Sequence, residues 1–114
     1  MDRDIQLHYR ARLETIASEL RQRIDGDHGT DPVSPDRAIG RLTRIEALQA
    51  QQVSLEMHRR SQQRLQRVEH ALALIAEGRY GSCTKCGEDI ERTRLDAAPE
   101  TFLCVACLTQ LQRR

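Results

Sequence analysis

Apolar residues recur every three or four positions along the first quarter of the chain. They are Ile5, Tyr9, Leu13, Ile16, Leu20 and Ile24. This spacing places their side chains on one face of a helix of about six turns. Residues 26–35, GDHGTDPVSP, contain two glycines and two prolines, so the pattern predicts that the helix stops there.

A second, longer helix is predicted after this break. Ser34 can cap its first turn and Pro35 is favourable within that turn, so the helix is expected to begin at residues 34–36. The helical pattern continues to Glu77, and Gly78 is expected to be the C-terminal cap. Two such helices predict an antiparallel helical hairpin that forms a coiled-coil arm.

The second helix carries two apolar stripes with different expected partners. The early stripe is Ile39, Leu42, Ile45, Leu48, Gln52 and Leu55, and it is expected to face the first helix. The later stripe is Leu65, Val68, Leu72 and Ile75. Because the second helix is about twice as long as the first, the later stripe is expected to lack a partner on the first helix. Its expected cover is a short C-terminal helix that presents Val105, Leu108 and Leu111, or alternatively a second copy of the chain.

Composition limits the size of the core and the class of protein. The 114 residues are 39% apolar and 3% aromatic, which favours an elongated helical protein over one large core. No signal peptide and no run of eighteen apolar residues is found, so we expect a soluble, cytoplasmic protein with no membrane partner. The histidines occur singly, and neither a phosphate-binding glycine loop nor an H-E-x-x-H motif is present. We therefore expect no enzymatic activity.

All four cysteines lie in two C-x-x-C pairs separated by seventeen residues. The pairs are Cys83 with Cys86 and Cys104 with Cys107. Disulfides are rare in the cytosol, and no βαβ pattern surrounds a C-x-x-C that would suit thioredoxin-like chemistry. The spacing is typical of a four-thiolate zinc site, in which four protein ligands leave no open position and the ion is structural. Reactive thiols or iron remain the alternatives.

These elements predict a mainly α fold in two parts. Residues 1–77 form a coiled-coil helical hairpin with its tip at about residues 25–36, and residues 78–114 form a C4 zinc-finger module with a C-terminal helix. A zinc-finger protein could bind DNA, or could serve as a zinc-stapled adaptor for another protein. Residues 71–114 contain six basic and six acidic residues, a balance that disfavours DNA binding.

The cysteine segment resembles the zinc-finger signature of the DksA/TraR family. The matching residues are Gly78, Tyr80, Gly81, Cys83, Cys86, Gly87, Ile90, Arg94, Leu95, Ala97, Pro99, Cys104 and Cys107. The segment DPVSPDRA, residues 31–38, resembles the coiled-coil tip of that family, and PDRAIGRLTRIEALQAQ resembles its short members.

The resemblance implies a regulator of bacterial RNA polymerase that binds no specific DNA sequence. In the family, the coiled coil enters the secondary channel of the polymerase and places tip aspartates near the catalytic centre, often together with ppGpp. Asp36 and Ala38 match the second aspartate and the alanine of the family's D-x-x-D-x-A tip. Val33 stands where the first aspartate would be, and Asp31 is the nearest acid upstream.

Overall fold

The computed structural model describes residues 1–26 and 40–113. These ranges contain four helices, α1 (Arg3–Gly26), α2 (Gly40–Ala76), α3 (Arg92–Ala97) and α4 (Val105–Gln112), and no β-strand. The extents of 59 × 33 × 20 Å describe an elongated molecule. The mainly α fold with a helical hairpin is therefore confirmed, while the predicted start of α2 at residues 34–36 lies outside the described residues.

The apolar stripe of α1 is the buried face of that helix, as predicted. Tyr9, Leu13 and Leu20 are almost fully buried, and Ile5 and Ile16 pack at the edge of the same cluster. Ala17 is also fully buried. A small residue at the centre of the stripe lets the backbone of a neighbouring helix approach closely.

Helix α1 packs antiparallel against the later part of α2. Near the end of α1, Arg21 forms an ion pair with Glu69, with 3.4 Å between Nη2 and Oε1. Near its start, Leu7 lines a groove together with Leu72 and Ile75. The prediction that the later stripe has no partner on the first helix is therefore wrong, and the reason for expecting a second copy along that stripe is removed.

The early stripe of α2 does not face α1. Ile45, Leu48 and Leu55 are 46%, 51% and 42% exposed. At 3.6 residues per turn, Leu48 lies about 200° around the helix axis from the buried Val68. A 3-4 spacing occurs on both sides of this long helix, so spacing alone selected the wrong side. The remaining predicted members, Ile39 and the side chain of Leu42, lie outside the described residues.

Helix α2 ends at Ala76, one residue before the predicted Glu77, with the predicted glycine cap. Gly78 has φ 72°, a left-handed conformation that side chains disfavour. Its amide donates to the carbonyl oxygen of Ile75 at 3.1 Å, and the amide of Arg79 donates to that of Leu74 at 2.8 Å. This pair of bonds is a Schellman cap, which satisfies the last carbonyl groups and turns the chain out of the helix.

The C-terminal segment packs on the hairpin through residues other than those expected. Val105 and Leu111 are 55% and 43% exposed, and Leu108 is half-buried but outside the core cluster, so the prediction that α4 covers the later stripe through these three residues is wrong. The residues of this segment in the core cluster are Tyr80, Cys83, Ile90 and Leu95 outside α4, and Cys107 within it. Helix α3, which carries Leu95, was not predicted. Its N-cap, Glu91, makes no side-chain capping bond, so the sequence lacks a start signal there.

None of the helices within residues 1–26 and 40–113 combines the length and hydrophobicity needed to span a bilayer.

Candidate metal centre

The structure brings all four cysteines into one cluster. Their Sγ atoms lie within 4.8 Å of one another, and the Sγ atoms of Cys86 and Cys104 are 3.7 Å apart. Four thiolates around zinc at about 2.3 Å would be about 3.8 Å apart along each edge of the tetrahedron. The cluster therefore has the dimensions of a four-thiolate site for a single ion.

A tight turn positions the first pair. The amide of Cys83 donates to the carbonyl oxygen of Glu88 at 2.7 Å, and the amide of Gly87 donates back to that of Cys83 at 2.9 Å. Gly87 has φ 82°, which a side chain would disfavour. An antiparallel bridge between Ser82 and Asp89 closes the turn. The backbone thus holds both sulfurs of the pair on one side.

The start of α4 positions the second pair. Cys104 is the N-cap of α4, and its Sγ accepts a hydrogen bond from the amide of Cys107 at 3.5 Å. The amide of Thr84 donates to the carbonyl oxygen of Phe102 at 3.0 Å, which ties the first turn to the segment before the second. The N-terminus of α4 and the bond to Phe102 therefore hold the second pair of sulfurs beside the first pair.

The thiols influence one another strongly. Backbone amides, first that of Cys104 and then that of Cys86, lower the pKa of Cys83 to about 6. Interaction with the Cys104 side chain, together with burial, raises the pKa of Cys107 to about 12. Four sulfurs at this separation repel one another as thiolates. A bound cation removes that repulsion, and this fits a metal site better than a set of independent reactive thiols.

The chemistry of the cluster excludes a disulfide in this arrangement and favours a structural ion. All four cysteines are free, and 3.7 Å between the sulfurs of Cys86 and Cys104 far exceeds a disulfide bond of about 2.05 Å. Four sulfur ligands fill a tetrahedral zinc site, so no position remains for a reacting water. Such an ion links the two turns and supplies folding free energy.

Polar contacts that the sequence analysis missed brace the cysteine segment internally and join it to the hairpin. The Tyr80 hydroxyl donates to the carbonyl oxygen of Pro99 at 2.8 Å, and the Tyr9 hydroxyl donates to Oδ1 of Asp96 at 2.6 Å. Arg64 donates from Nε to Oε2 of Glu100 at 2.9 Å. The contact of Tyr9 could have been anticipated from the sequence, because a tyrosine in an apolar stripe usually has a hydrogen-bond partner for its hydroxyl. The other predicted site residues, Asp36 and Ala38, lie outside the described residues.

A helical hairpin with a four-cysteine metal site at its base defines a helical zinc-finger protein, and comparisons with known proteins identify its family. Residues 78–113 match the family model of the prokaryotic dksA/traR C4-type zinc finger. The chain is 30% identical to the RNA polymerase-binding transcription factor DksA of Escherichia coli K12, over 94% of this chain and 71% of that protein. It is also 30% identical to the protein of the same name in Buchnera aphidicola, over 100% of this chain and 76% of the relative.

A solved structure extends the similarity to the fold. The chain superposes on transcription factor DksA2 from Pseudomonas aeruginosa with a TM-score of 0.80 and 28% identity, over 100% of this chain and 88% of that one. The chain belongs to the DksA/TraR family. The resemblance noted in the sequence is thereby confirmed, and zinc is the cofactor that the C4-type finger and the cysteine cluster indicate.

Proposed function

We propose that this protein is a DksA-like transcription regulator that binds bacterial RNA polymerase in the cytoplasm, without catalysing a reaction of its own. The observation that carries this proposal is that the similarity includes the hairpin as well as the finger. The DksA2 structure is matched over 100% of this chain, whereas the zinc-finger model covers only residues 78–113. A finger borrowed by an unrelated adaptor would match at the C-terminal part alone.

In this proposal Cys83, Cys86, Cys104 and Cys107 bind one zinc ion that organises residues 78–114 as a finger module. The support is the cluster of their sulfurs within 4.8 Å. The ion has a structural role, because the four ligands saturate it. Residues 1–77 act as the hairpin, with its tip at about residues 25–36, and the finger fixes the base of that hairpin.

The hairpin is proposed to enter the secondary channel of the polymerase, with Asp36 and Ala38 acting near the active centre. The elongated shape, 59 Å in its longest direction, suits insertion into a narrow channel. At the tip, a carboxylate can attract a cation or a basic side chain that takes part in nucleotide addition. The alarmone ppGpp is proposed as a co-effector at the complex.

Specific DNA binding is not part of the proposal. Residues 71–114 contain equal numbers of basic and acidic residues, whereas DNA-binding modules present a basic surface. Two arginines of this segment also form contacts with other groups of the protein. Arg94 donates to the carbonyl oxygen of Leu103 at 3.3 Å, and Arg79 pairs with Glu77 at 3.4 Å.

The test is retention of the zinc-loaded chain on immobilised core RNA polymerase and on duplex DNA at low salt. We expect retention by the polymerase, resistant to added competitor DNA, and salt-sensitive weak retention at most by the duplex. Retention by DNA alone would overturn the proposal in favour of a DNA-binding finger. A chain retained by neither would overturn the assignment of polymerase as the partner.

A further inference from the structure

Arg64 and Glu100 form an ion pair between the hairpin and the cysteine segment in which the glutamate is buried and the arginine is partly exposed. Arg64 lies on α2, and Glu100 lies between α3 and α4. The distance from Nε to Oε2 is 2.9 Å, and the side chains are 42% and 11% exposed. Surface pairs of this kind contribute little to stability, but removing one partner of a buried pair leaves a charge without compensation.

Arg64 is the cation that pairs with Glu100. Among the described residues, Oε1 of Glu100 has no hydrogen-bond partner and is closed off from solvent. The preceding Pro99 is fully buried, and its carbonyl oxygen is held by Tyr80. The loop that carries Glu100 is therefore fixed on one side by Tyr80 and on the other by Arg64, so the carboxylate has little freedom to turn towards water.

The position of the pair along α2 determines what it can control. Arg64 lies twelve residues before the end of α2 at Ala76, which is about 18 Å at 1.5 Å per residue. The cysteine segment leaves α2 through the glycine turn at Gly78 and touches it again at His70, where the Phe102 ring centroid is 5.2 Å away. The contact at Arg64 is therefore the one furthest from the turn among these three.

The same geometry magnifies small movements. Helix α2 runs from Gly40 to Ala76, about 54 Å, which is about three times the distance from the turn to Arg64. A shift of about 3 Å at Glu100 therefore becomes a displacement of about 9 Å at Gly40 when the finger is held fixed. Gly40 is the described residue closest to the tip on this helix.

We propose that Arg64 and Glu100 are positioning residues that form an orientation latch, which fixes the angle of the zinc finger on α2 and so aims the far end of the hairpin. The inference rests on the proposed function only where it concerns polymerase. The effect of the latch on the angle of the finger rests only on the contacts of Arg64 and Glu100 described above. Neither residue touches the metal cluster, and both act through the direction of the helix.

The test compares three latch variants with a matched control. Glu100→Gln keeps the shape and removes the negative charge, Arg64→Gln removes the positive charge and shortens the side chain, and the double variant removes both charges. Glu56→Gln is the control, because Glu56 forms exposed ion pairs with arginines of its own helix and does not contact the finger. Zinc content is measured for every variant, so that loss of the finger is distinguished from loss of its orientation.

The readout is the distribution of distances between two non-thiol spin labels, one at Gln49 on α2 and one at Gln110 on α4, both exposed positions. We expect each single latch variant to broaden the distribution about twofold, and the double variant to broaden it no further, since both changes break one interaction. The control should match the parent. Distributions that coincide for parent, Glu100→Gln and Arg64→Gln would overturn the latch.

Binding to core polymerase then tests the consequence. A loosened finger must be ordered on binding, so Glu100→Gln is expected to bind about three- to tenfold more weakly than the parent, with zinc fully bound. Equal affinity despite a broadened distribution would contradict a role in docking. A parent chain that does not bind polymerase would overturn the proposed function, while the distance distributions would still decide whether the latch exists.

Discussion

Tyr80 and Tyr9 pack against each other where the hairpin meets the cysteine segment, with ring centroids 5.7 Å apart. Tyr80 is 3% exposed and Tyr9 is 2% exposed. The Tyr9 hydroxyl donates across the junction to Asp96, and the Tyr80 hydroxyl donates within the cysteine segment to the carbonyl oxygen of Pro99. The two rings therefore lie in one core shared by the hairpin and the cysteine segment, while their hydroxyl groups hold the residues that precede the second cysteine pair.

Tyr80→Phe is expected to lower the free energy of unfolding by about 1–2 kcal/mol. The ring is retained, but the buried carbonyl oxygen of Pro99 loses its donor. Tyr9→Phe is the matched control and should have a smaller effect, because its partner Asp96 is exposed and can be solvated. Urea unfolding of the zinc-loaded proteins measures both values. Equal stability of Tyr80→Phe and the parent would show that water satisfies Pro99.

The same tyrosine predicts a loss of stability in alkaline solution. Burial, and then the neighbouring Tyr9, raises the pKa of Tyr80 above its usual range. The unfolded chain loses this proton near about pH 10. The stability that protonated Tyr80 contributes to the folded state is therefore fully present below about pH 10 and declines as the pH rises above it. Unfolding measured from pH 9 to pH 11 should show a shallower decline for Tyr80→Phe than for the parent. Parallel curves would contradict the assignment.

Removal of zinc is expected to unfold the cysteine segment before the hairpin. The segment has few buried apolar residues, so metal binding supplies much of its folding free energy. A chelator should abolish amide protection at residues 81–107 and leave α1 partly protected in hydrogen exchange. Cys86→Ser should have the same effect, and Thr84→Ser, a conservative change at an exposed position of the same turn, should not. Full protection after complete zinc removal would contradict a structural ion.

Replacing a leucine by alanine is expected to have a large effect on stability on the buried face of α1 and a small effect on the exposed face of α2. Leu13→Ala removes a side chain that is 0% exposed and should lower the free energy of unfolding by about 2–5 kcal/mol. Leu48→Ala changes a side chain that is 51% exposed and should alter it by less than about 0.5 kcal/mol. Thermal or urea unfolding of the two variants measures the difference. A large loss for Leu48→Ala would mean that α2 buries its early stripe.

Much of the fold was predictable because its signals are local. The stripe from Ile5 to Ile24 marks one face of a helix, Gly78 permits the turn after α2, and the spacing of the cysteines defines a four-sulfur cluster. Each signal depends on neighbouring residues and on periods of 3.6, so no long-range information was needed.

The pairing of the helices was not predictable in the same way. Leu48 and Val68 each belong to a stripe with 3-4 spacing, and nothing in the spacing states which stripe meets α1. In the structure, the stripe that meets α1 is the one beside which alanines are buried, Ala17 on α1 and Ala71 on α2. Small residues permit close helix packing, but they give a weak periodic signal. The ion pair between Arg64 and Glu100 joins residues 36 apart in sequence, which no local pattern reveals.

Substitution of Asp36 at the tip is expected to separate binding to polymerase from the effect on transcription. Asp36→Asn keeps a residue that can cap a helix, so we expect a loss of only ~0.3–1 kcal/mol of stability and nearly normal affinity for polymerase. The negative charge is lost, and with it most of the influence on transcription. Ala38→Thr should likewise bind polymerase but lose most of its influence on transcription, because it adds bulk at the contact. Asp31→Asn, at a displaced position, should reduce that influence less.

The most direct measurement is transcription in vitro by purified bacterial RNA polymerase, at protein concentrations where binding is saturated, with the parent chain and with Asp36→Asn. The account predicts that the parent changes transcript yield, that Asp36→Asn does not, and that Asp36→Asn added in excess suppresses the effect of the parent by occupying the same site. A variant that regulates as well as the parent, or a saturating parent chain that leaves yield unchanged, would contradict it.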